Sequence, residues 1–194
     1  SNVTQEGMGG FLTIQSSEQQ LTYMPLTGFT TVDIGCERGS NVYNMINKFE
    51  GRYRFLSNFY PVEIEHQGIK YPSVEHFYVA MKVNDQQLIN GKYYTPGDFR
   101  EMIASIPDPG KIKRIGRSAK LRSDWDQQKL KVMNWGVRQK FKQEPFKEML
   151  LATGDQLLVE GNYWHDNVFG SCTCDKCGDK GENNLGKILM DVRN

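Results

Sequence analysis

The 194-residue sequence has no long apolar run and no excess of charge of either sign. No stretch approaches the roughly 18 consecutive apolar residues of a membrane-spanning helix, which favours a soluble protein. The chain has 24 Lys and Arg residues against 23 Asp and Glu residues, and so a formal net charge of +1. We therefore do not expect binding to nucleic acid through a broad basic field, although a compact nucleotide site remains open.

Cysteine usage and the opening residues indicate a cytoplasmic protein. Only four cysteines are present, and three of them lie between Cys172 and Cys177, which does not suit the disulfide framework of a secreted domain. Residues Ser1–Gly7 lack the charged start and apolar stretch of a signal peptide, so we expect none. Hydrophobic residues make up 38% of the chain, too many for a disordered segment, and the length suits one domain with a buried core.

Residues 1 to about 45 differ in composition from the rest of the chain. They are rich in Gly, Ser, Thr and Gln, and only short runs such as Phe11–Ile14 and Phe29–Ile34 resemble strands. We therefore expect an N-terminal extension over residues 1–45 and a separate domain over residues 46–194.

Within this domain, turn and capping signals predict more helix than strand. Gly68 lies between the short runs Val62–Glu65 and Ile69–Tyr71, as in a β-hairpin, and Ser73 is placed to cap a helix reaching Val83. Further predicted elements are a helix opening at Thr95, a long helix from Asp124 to Gln143 behind a capping box at Ser123, a helix from Pro145 to Gly154, a strand over Gln156–Glu160, and a last helix carrying Leu185 to Val192. The pattern predicts an α+β domain, mainly helical, with a small sheet or hairpin.

Two polar clusters are not explained by packing alone. The first begins at Arg54 and continues through the predicted hairpin to Lys82. In the helix predicted after Ser73, Glu75 and Lys82 are seven residues apart and therefore share a face with Tyr78. Two charges on a helix are usually solvated, but the aromatic neighbourhood here favours a site.

The second cluster spans Leu158–Gly170 and continues at Gly181–Met190. A loop rich in Asn, Asp, His and aromatic residues that leads into a helix suits an anionic sugar or nucleotide, because helix-start N–H groups attract phosphate. Asn183 can equally be an ordinary helix cap.

Several long and specific motifs occur in order along the domain: Phe55–Pro61, Tyr71–His76, Gly116–Arg117, Arg138-x-Lys140-Phe141, Thr153–Gly154, Gly181-x-Asn183-x-Leu185-Gly186 and Leu189–Arg193. Together they resemble the NADAR family, also called YbiA-like, over roughly residues 47–193. The resemblance implies a compact, mainly helical α+β domain that cleaves the N-glycosidic bond of ribosides and needs no metal or other cofactor. Family members are known to hydrolyse phosphoribosylated pyrimidine intermediates of riboflavin synthesis, or to remove ADP-ribose from guanine in nucleic acid.

The resemblance also implies that Glu75, Lys82, Asp166 and the loop Gly181–Gly186 line the site. Cleaving a ribosyl C–N bond builds positive charge at the anomeric carbon, which a carboxylate of Glu75 or Asp166 can stabilise, while the departing base needs a proton. Alternatively, the Lys82 amine can attack C1 of the opened ribose and form an imine that water hydrolyses. The sequence leaves both routes open.

The expected substrate-binding residues fall into three groups, which hold the phosphate, stack on the base or make further contacts. They are Arg54 and Arg117 as phosphate clamps, Tyr60, Tyr78 and Trp125 as stacking partners, and Ser57, Asn58, Phe169, Gly181 and Asn183 as further contacts. Phe169 stands where many relatives have Trp, which keeps an aromatic platform but loses the indole N–H.

The thiols of Cys172, Cys174 and Cys177, in a C-x-C-x-x-C arrangement, allow a zinc interpretation. A structural zinc site needs four ligands, so His165 or Cys36 would have to complete it. We assign no metal to this loop, interpret its cysteines as reduced thiols, and expect serine at all three positions to leave activity within a few-fold.

Two other classes of protein compete with the enzyme hypothesis. A module that binds ADP-ribose without cleaving it would not need Glu75, Lys82 and Asp166 to converge. A structural or interaction protein would not need so many polar residues in aromatic-rich loops. The expected partner is an ADP-ribosylated or phosphoribosylated base, free or within nucleic acid, with no membrane and no obligatory protein partner.

Overall fold

The structure, a computed structural model, describes residues 44–194. Its strands are β1 (Met45–Ile46), β2 (Ile64–His66), β3 (Ile69–Tyr71), β4 (Gln87–Ile89), β5 (Lys92–Tyr94), β6 (Leu157–Leu158), β7 (Gly161–Asn162) and β8 (Ser171–Cys172). Its α-helices are α1 (Val74–Ala80), α2 (Pro96–Ser105), α3 (Pro109–Ser118), α4 (Trp125–Phe141), α5 (Phe146–Leu151) and α6 (Asn184–Arg193), and a 3₁₀ helix spans Gly51–Leu56. The expectations for Phe11–Ile14, Phe29–Ile34 and Cys36 lie outside the described residues.

The strands of residues 44–194 form four separate two-stranded pairs, β1 with β6, β2 with β3, β4 with β5, and β7 with β8. The β2–β3 and β4–β5 pairs are antiparallel hairpins, and β7–β8 is parallel. Because each strand has only two or three residues, the helices form most of the core. The prediction of a mainly helical α+β domain is confirmed. No helix in residues 44–194 is long and apolar enough to cross a membrane.

Helix α1 is buried along its whole length and packs against α2, α3 and α4. The Ser73 hydroxyl accepts a hydrogen bond from the His76 backbone N–H at 3.2 Å, so the predicted N-cap is confirmed. The helix ends at Ala80, before the predicted end at Val83, because the Lys82 N–H turns back to the Val79 carbonyl at 3.1 Å. This tightened turn directs the chain away from the helix axis.

Two glycines allow the neighbouring helices to approach α1 closely. A Cβ atom at Gly136 in α4 would lie 2.9 Å from Cδ2 of Phe77, and one at Gly116 in α3 would lie 2.9 Å from Cγ2 of Val79. Real Cβ atoms avoid such distances, so any larger residue would push the helices apart.

Some local predictions were wrong or incomplete. Asp124 is the N-cap residue of α4 and its side chain makes no capping bond; it pairs with Arg122, so the capping box at Ser123 does not form. The strand predicted over Gln156–Glu160 is shortened to Leu157–Leu158. The β4–β5 hairpin was missed, although Asn90-Gly91, with φ of 50° and 78°, is a strong hairpin signal.

Substituting Gly136 tests the close packing of α1 on α4. Gly136→Ala is expected to lower the free energy of unfolding by about 1–3 kcal/mol, because the added methyl overlaps Phe77. Gly97→Ala in α2 is the matched control: its Cβ would lie 3.9 Å from the nearest atom, and alanine is the better helix former, so stability should hold or rise. Urea denaturation of both variants measures the difference, and equal stability would contradict the packing argument.

Candidate active site

A cavity of about 470 Å³ lies beside α1, within the roughly 300–1,000 Å³ typical of small-molecule sites. It is lined by residues that follow the 3₁₀ helix, by residues of α1, α3 and α4, and by residues on either side of β7. Of the residues expected from the sequence, it brings together Ser57, Asn58, Glu75, Tyr78, Lys82, Arg117, Trp125, Asp166 and Phe169.

Glu75 is a buried carboxyl at the start of α1, with 8% of its surface exposed. Its backbone N–H donates to the carbonyl of Asn58 at 3.1 Å, which ties the start of α1 to the chain just after the 3₁₀ helix. Burial raises the pKa of Glu75, while the positive charges of Lys113 and Lys82 act in the opposite direction. The net rise favours a protonated acid.

Lys82 reaches the same cavity from the turn after α1. Its Nζ lies 5.5 Å from the ring centroid of Tyr78, beside Gly116 of α3. Burial lowers the pKa of Lys82, and the positive charges of Lys113 and Arg117 lower it further. The negative charge of Glu75 raises it. Desolvation therefore outweighs the attraction of the carboxylate, and the neutral amine is favoured.

Glu160, which the sequence analysis missed, is a third acid at the cavity. Burial, with the negative charge of Asp166 adding to it, raises the pKa of Glu160 to about 7. Its backbone N–H donates to Oδ1 of Asn183 at 3.0 Å. A single acid between Val159 and Gly161 carried no pattern that distinguished it from a strand residue facing solvent.

Asp166 is held at the cavity by a network of loop hydrogen bonds. Its Oδ1 accepts from the N–H groups of Val168 and Phe169 at 3.2 and 3.0 Å. The buried Asn162 accepts from the Asp166 N–H at 3.1 Å and donates to the Asp166 carbonyl at 2.8 Å. These bonds fix the direction of the carboxylate without a helix or strand.

Cations line the same cavity, and two of them were not expected from the sequence. Lys113 and Lys129 join Arg117 there. Lys129 lies 3.1 Å from Asp126, whereas the Lys113 ammonium lies 5.9 Å from the ring centroid of Trp164. Lysines on the polar side of an amphipathic helix look like solvent-facing residues in sequence, which is why Lys113 and Lys129 were missed.

The aromatic residues of the cavity differ in what they can do. Tyr78 packs on Trp125 and Phe169, with ring centroids 5.1 and 5.4 Å apart, so these three form a wall. Trp164 also lines the cavity and is 54% exposed, which leaves its indole face open to a ligand.

Four residues expected to bind substrate do not line this cavity. Arg54 is exposed on the 3₁₀ helix, and Tyr60 packs edge-on against Phe146, with ring centroids 5.9 Å apart. A Cβ at Gly181 would lie 2.3 Å from the Gly170 carbonyl oxygen, so this glycine serves close loop packing.

Asn183, the fourth, stabilises the chain that carries Glu160. Its Nδ2 donates to the Leu158 carbonyl at 2.9 Å, and its Oδ1 accepts from the Glu160 N–H. Its side chain makes no capping bond to α6. Asn183 therefore acts as a positioning residue beside the cavity.

Lys140 supports the floor of the site from the core. It is 1% exposed, and its Nζ donates to the Ser57 carbonyl at 2.8 Å. Burial lowers the pKa of Lys140 to about 7, with the charge of Glu160 opposing this shift. The cysteines of the C-x-C-x-x-C loop lie outside the cavity, next to His165.

Comparisons with known proteins identify the family of this chain. The NADAR domain model matches residues 45–194. The N-glycosidase YbiA of Escherichia coli (strain K12) is 33% identical over 148 residues, which covers 73% of this chain and 80% of that protein. Its NMR structure matches with a TM-score of 0.60 and 32% identity, covering 77% of this chain and 82% of that one.

Two further relatives differ in length. An N-glycosidase of Nostoc punctiforme is 35% identical over 144 residues, covering 73% of this chain and 84% of that protein. A riboflavin biosynthesis protein of Vibrio vulnificus is 37% identical over 146 residues, covering 72% of this chain but only 34% of that protein. This chain thus spans about a third of the Vibrio protein.

The cavity brings together buried carboxyls and an amine, and the Escherichia coli and Nostoc relatives are named N-glycosidases; on that similarity the protein is assigned to the N-glycosidases. The chain belongs to the NADAR family, as its sequence motifs indicated.

The raised pKa of Glu160 predicts how stability depends on pH. The unfolded carboxyl ionises near its ordinary pKa of 4.5, whereas the folded one keeps its proton to about pH 7. The stabilisation from the neutral acid is therefore full below pH 4.5 and is lost as the pH rises through 7. Glu160→Gln, which stays neutral, should match wild-type stability near pH 4.5 and exceed it at pH 8 by on the order of 2–3 kcal/mol.

Urea denaturation across this pH range tests the expectation. Glu101→Gln removes an exposed carboxylate on α2 and is the control, since its effect should not change through the window. A Glu160→Gln variant that is less stable than wild type at pH 8 would show that the carboxylate is satisfied in the fold.

Proposed function

We propose that this protein hydrolyses the ribosyl N-glycosidic bond of ADP-ribosylated guanine, with Lys82 as the nucleophile. The observation that carries the proposal is the meeting of a buried acid, Glu75, and a partly buried amine, Lys82, in one cavity. A module that only binds ADP-ribose has no need for either group in a desolvated state.

The cavity offers separate partners for the two ends of such a substrate. Lys113, Arg117 and Lys129 supply positive charge suited to a diphosphate, and Arg117 can contact phosphate oxygens in a bidentate manner. The exposed indole of Trp164 is placed to stack on a base. The near-zero net charge of the whole chain fits recognition of one modified nucleotide rather than of a long nucleic-acid backbone.

The proposed reaction opens the ribose ring before the base leaves. The bond between C1 and the ring oxygen breaks, the oxygen takes a proton from a carboxylic acid, and the lone pair of the base nitrogen forms an iminium ion with C1. The neutral Lys82 amine adds to C1, and the base departs on its nitrogen with the proton that the amine loses. Water then adds to the Lys82 imine, releasing the sugar aldehyde and restoring the amine.

The acids suit the proton transfers in this sequence. Burial raises the pKa of Glu160 to about 7, so this acid can hold a proton near neutral pH and donate it, and burial shifts the pKa of Glu75 in the same direction. Asp166, fixed by its loop hydrogen bonds, can stabilise positive charge as it develops at C1.

Substitutions of Lys82 distinguish two roles for this residue: a nucleophile, or a positive charge that only holds the substrate. Lys82→Ala and Lys82→Arg should both lower base release by roughly 1,000-fold or more, because a guanidinium stays protonated and cannot attack carbon. Trapping with borohydride during turnover should yield a wild-type adduct heavier by the sugar moiety, absent from Lys82→Arg. Lys111→Arg, an exposed lysine of α3 that does not line the cavity, should retain activity and the adduct.

If no adduct forms and Lys82→Arg keeps substantial activity, Lys82 acts as a clamp. The chemistry then falls to a carboxylate, Glu75 or Asp166, that stabilises an oxocarbenium ion directly.

A second candidate function is hydrolysis of phosphoribosylated pyrimidine intermediates of riboflavin synthesis. The similarity to a Vibrio protein named for riboflavin biosynthesis favours it. Such a substrate carries a single phosphate and a smaller base, so it would use fewer of the cavity's cations.

Parallel incubations distinguish the substrates. ADP-ribosylated guanosine should yield free ADP-ribose, whereas the pyrimidine intermediates would yield ribose 5-phosphate, each separated by anion-exchange chromatography. We expect a higher kcat/KM for ADP-ribosylated guanosine than for the pyrimidine intermediates. The Lys82→Ala variant gives the background rate. A preference for the pyrimidines would transfer the assignment to the second candidate. Binding of ADP-ribose with neither product formed would identify a binding module.

A further inference from the structure

We propose that His165, Cys172, Cys174 and Cys177 bind a structural zinc ion. Nδ1 of His165 and the three Sγ atoms all lie within 4.8 Å of one another. The His165 nitrogen is 3.3 Å from Sγ of Cys177, 3.5 Å from that of Cys174 and 3.9 Å from that of Cys172.

The three nitrogen–sulfur distances bracket the value expected of a tetrahedral metal site, and the sulfurs lie close enough to close on one ion. Zinc with Zn–S bonds of about 2.3 Å and a Zn–N bond of about 2.0 Å places its ligand atoms roughly 3.5–3.8 Å apart. Three thiolates and one imidazole form a common structural zinc set, and these borderline-soft ligands in tetrahedral array favour zinc over harder ions. His165 is thus the fourth ligand that the C-x-C-x-x-C motif alone lacked.

The backbone is bent in the way this ligand set requires. The N–H groups of Cys177 and Gly178 both donate to the Cys174 carbonyl, at 3.0 and 2.9 Å, which forms a tight turn between two of the thiols. Gly178 and His165 adopt left-handed φ values of 62° and 66°. Histidine is one of the side-chain-bearing residues that adopt this conformation most readily, and here it lies beside the sulfurs.

Asn167 supports the cluster from outside it. Its Nδ2 donates to Sγ of Cys177 at 3.1 Å, and its Oδ1 accepts from the backbone N–H of Cys172 at 2.9 Å. A hydrogen-bond donor aimed at a ligating sulfur stabilises the thiolate form that binds metal. A disulfide would use two of the sulfurs, and the contacts that His165 and Asn167 make with the sulfurs would then serve no metal.

The zinc ion would support one side of the cavity without taking part in catalysis. Four protein ligands leave no open coordination position, as expected of a structural ion. Asp166 lies between His165, a proposed ligand, and Asn167, which contacts two more. Zinc would therefore hold the segment that presents Asp166, and serine at the thiols would be poorly tolerated, unlike the expectation from the sequence.

Metal content measures the proposal directly. The full chain, expressed in zinc-supplemented medium and purified without chelator or histidine tag, should contain about one zinc per chain by mass spectrometry. Cys174→Ser and His165→Ala should lose most of it. Cys36→Ser, the one cysteine outside the motif, is the matched control and should keep it.

Three measurements on the wild-type chain keep the test decisive where a variant fails to fold. Replacing zinc by Co²⁺ should give the visible bands of tetrahedral thiolate-bound cobalt. An organomercurial should release one zinc per chain, and a strong chelator should lower the melting temperature. Substoichiometric zinc with no cobalt bands, or a disulfide between any of Cys172, Cys174 and Cys177, would overturn the proposal. None of these measurements depends on the proposed substrate.

Discussion

The complete burial of α1 constrains the rest of the structure. A helix without a solvent face must be enclosed by other elements, and here α2, α3 and α4 enclose it. Helices α3 and α4 can approach α1 closely because Gly116 and Gly136 carry no side chain where the helices cross. The same enclosure removes Glu75 from bulk water and brings Lys82, at the exit of the helix, to the cavity. Packing and chemistry thus depend on the same contacts.

Desolvation in this cavity changes what its charged groups can do. At ordinary pKa values a glutamate is a carboxylate, which has no proton to donate, and a lysine is an ammonium, which cannot attack carbon. Burial raises the pKa of Glu75 and Glu160 and lowers that of Lys82. The fold therefore shifts the groups toward a neutral acid and a neutral amine, the forms that the proposed Lys82 mechanism uses.

Short segments on either side of β7 carry Glu160 and Asp166, and side-chain hydrogen bonds add to the few backbone bonds of the β7–β8 pair that order them. Asn162 holds the Asp166 backbone, and Asn183 holds that of Glu160. The proposed zinc ion would add a third restraint on these segments at His165. Amides suit this purpose because each can donate and accept at once, which supplements the short ladder between β7 and β8.

The sequence by itself determined the local elements and the family. Caps such as Ser73 and Thr95, and the motifs of the NADAR family, depend on residues close together in the chain. Tertiary structure alone decided which polar residues meet. It brought Glu160 and Lys113 to the cavity and assigned Asn183 to support, because those distances follow from how helices and loops pack and not from sequence spacing. It also set the direction of each pKa shift, since desolvation exists only once the chain has folded around the group.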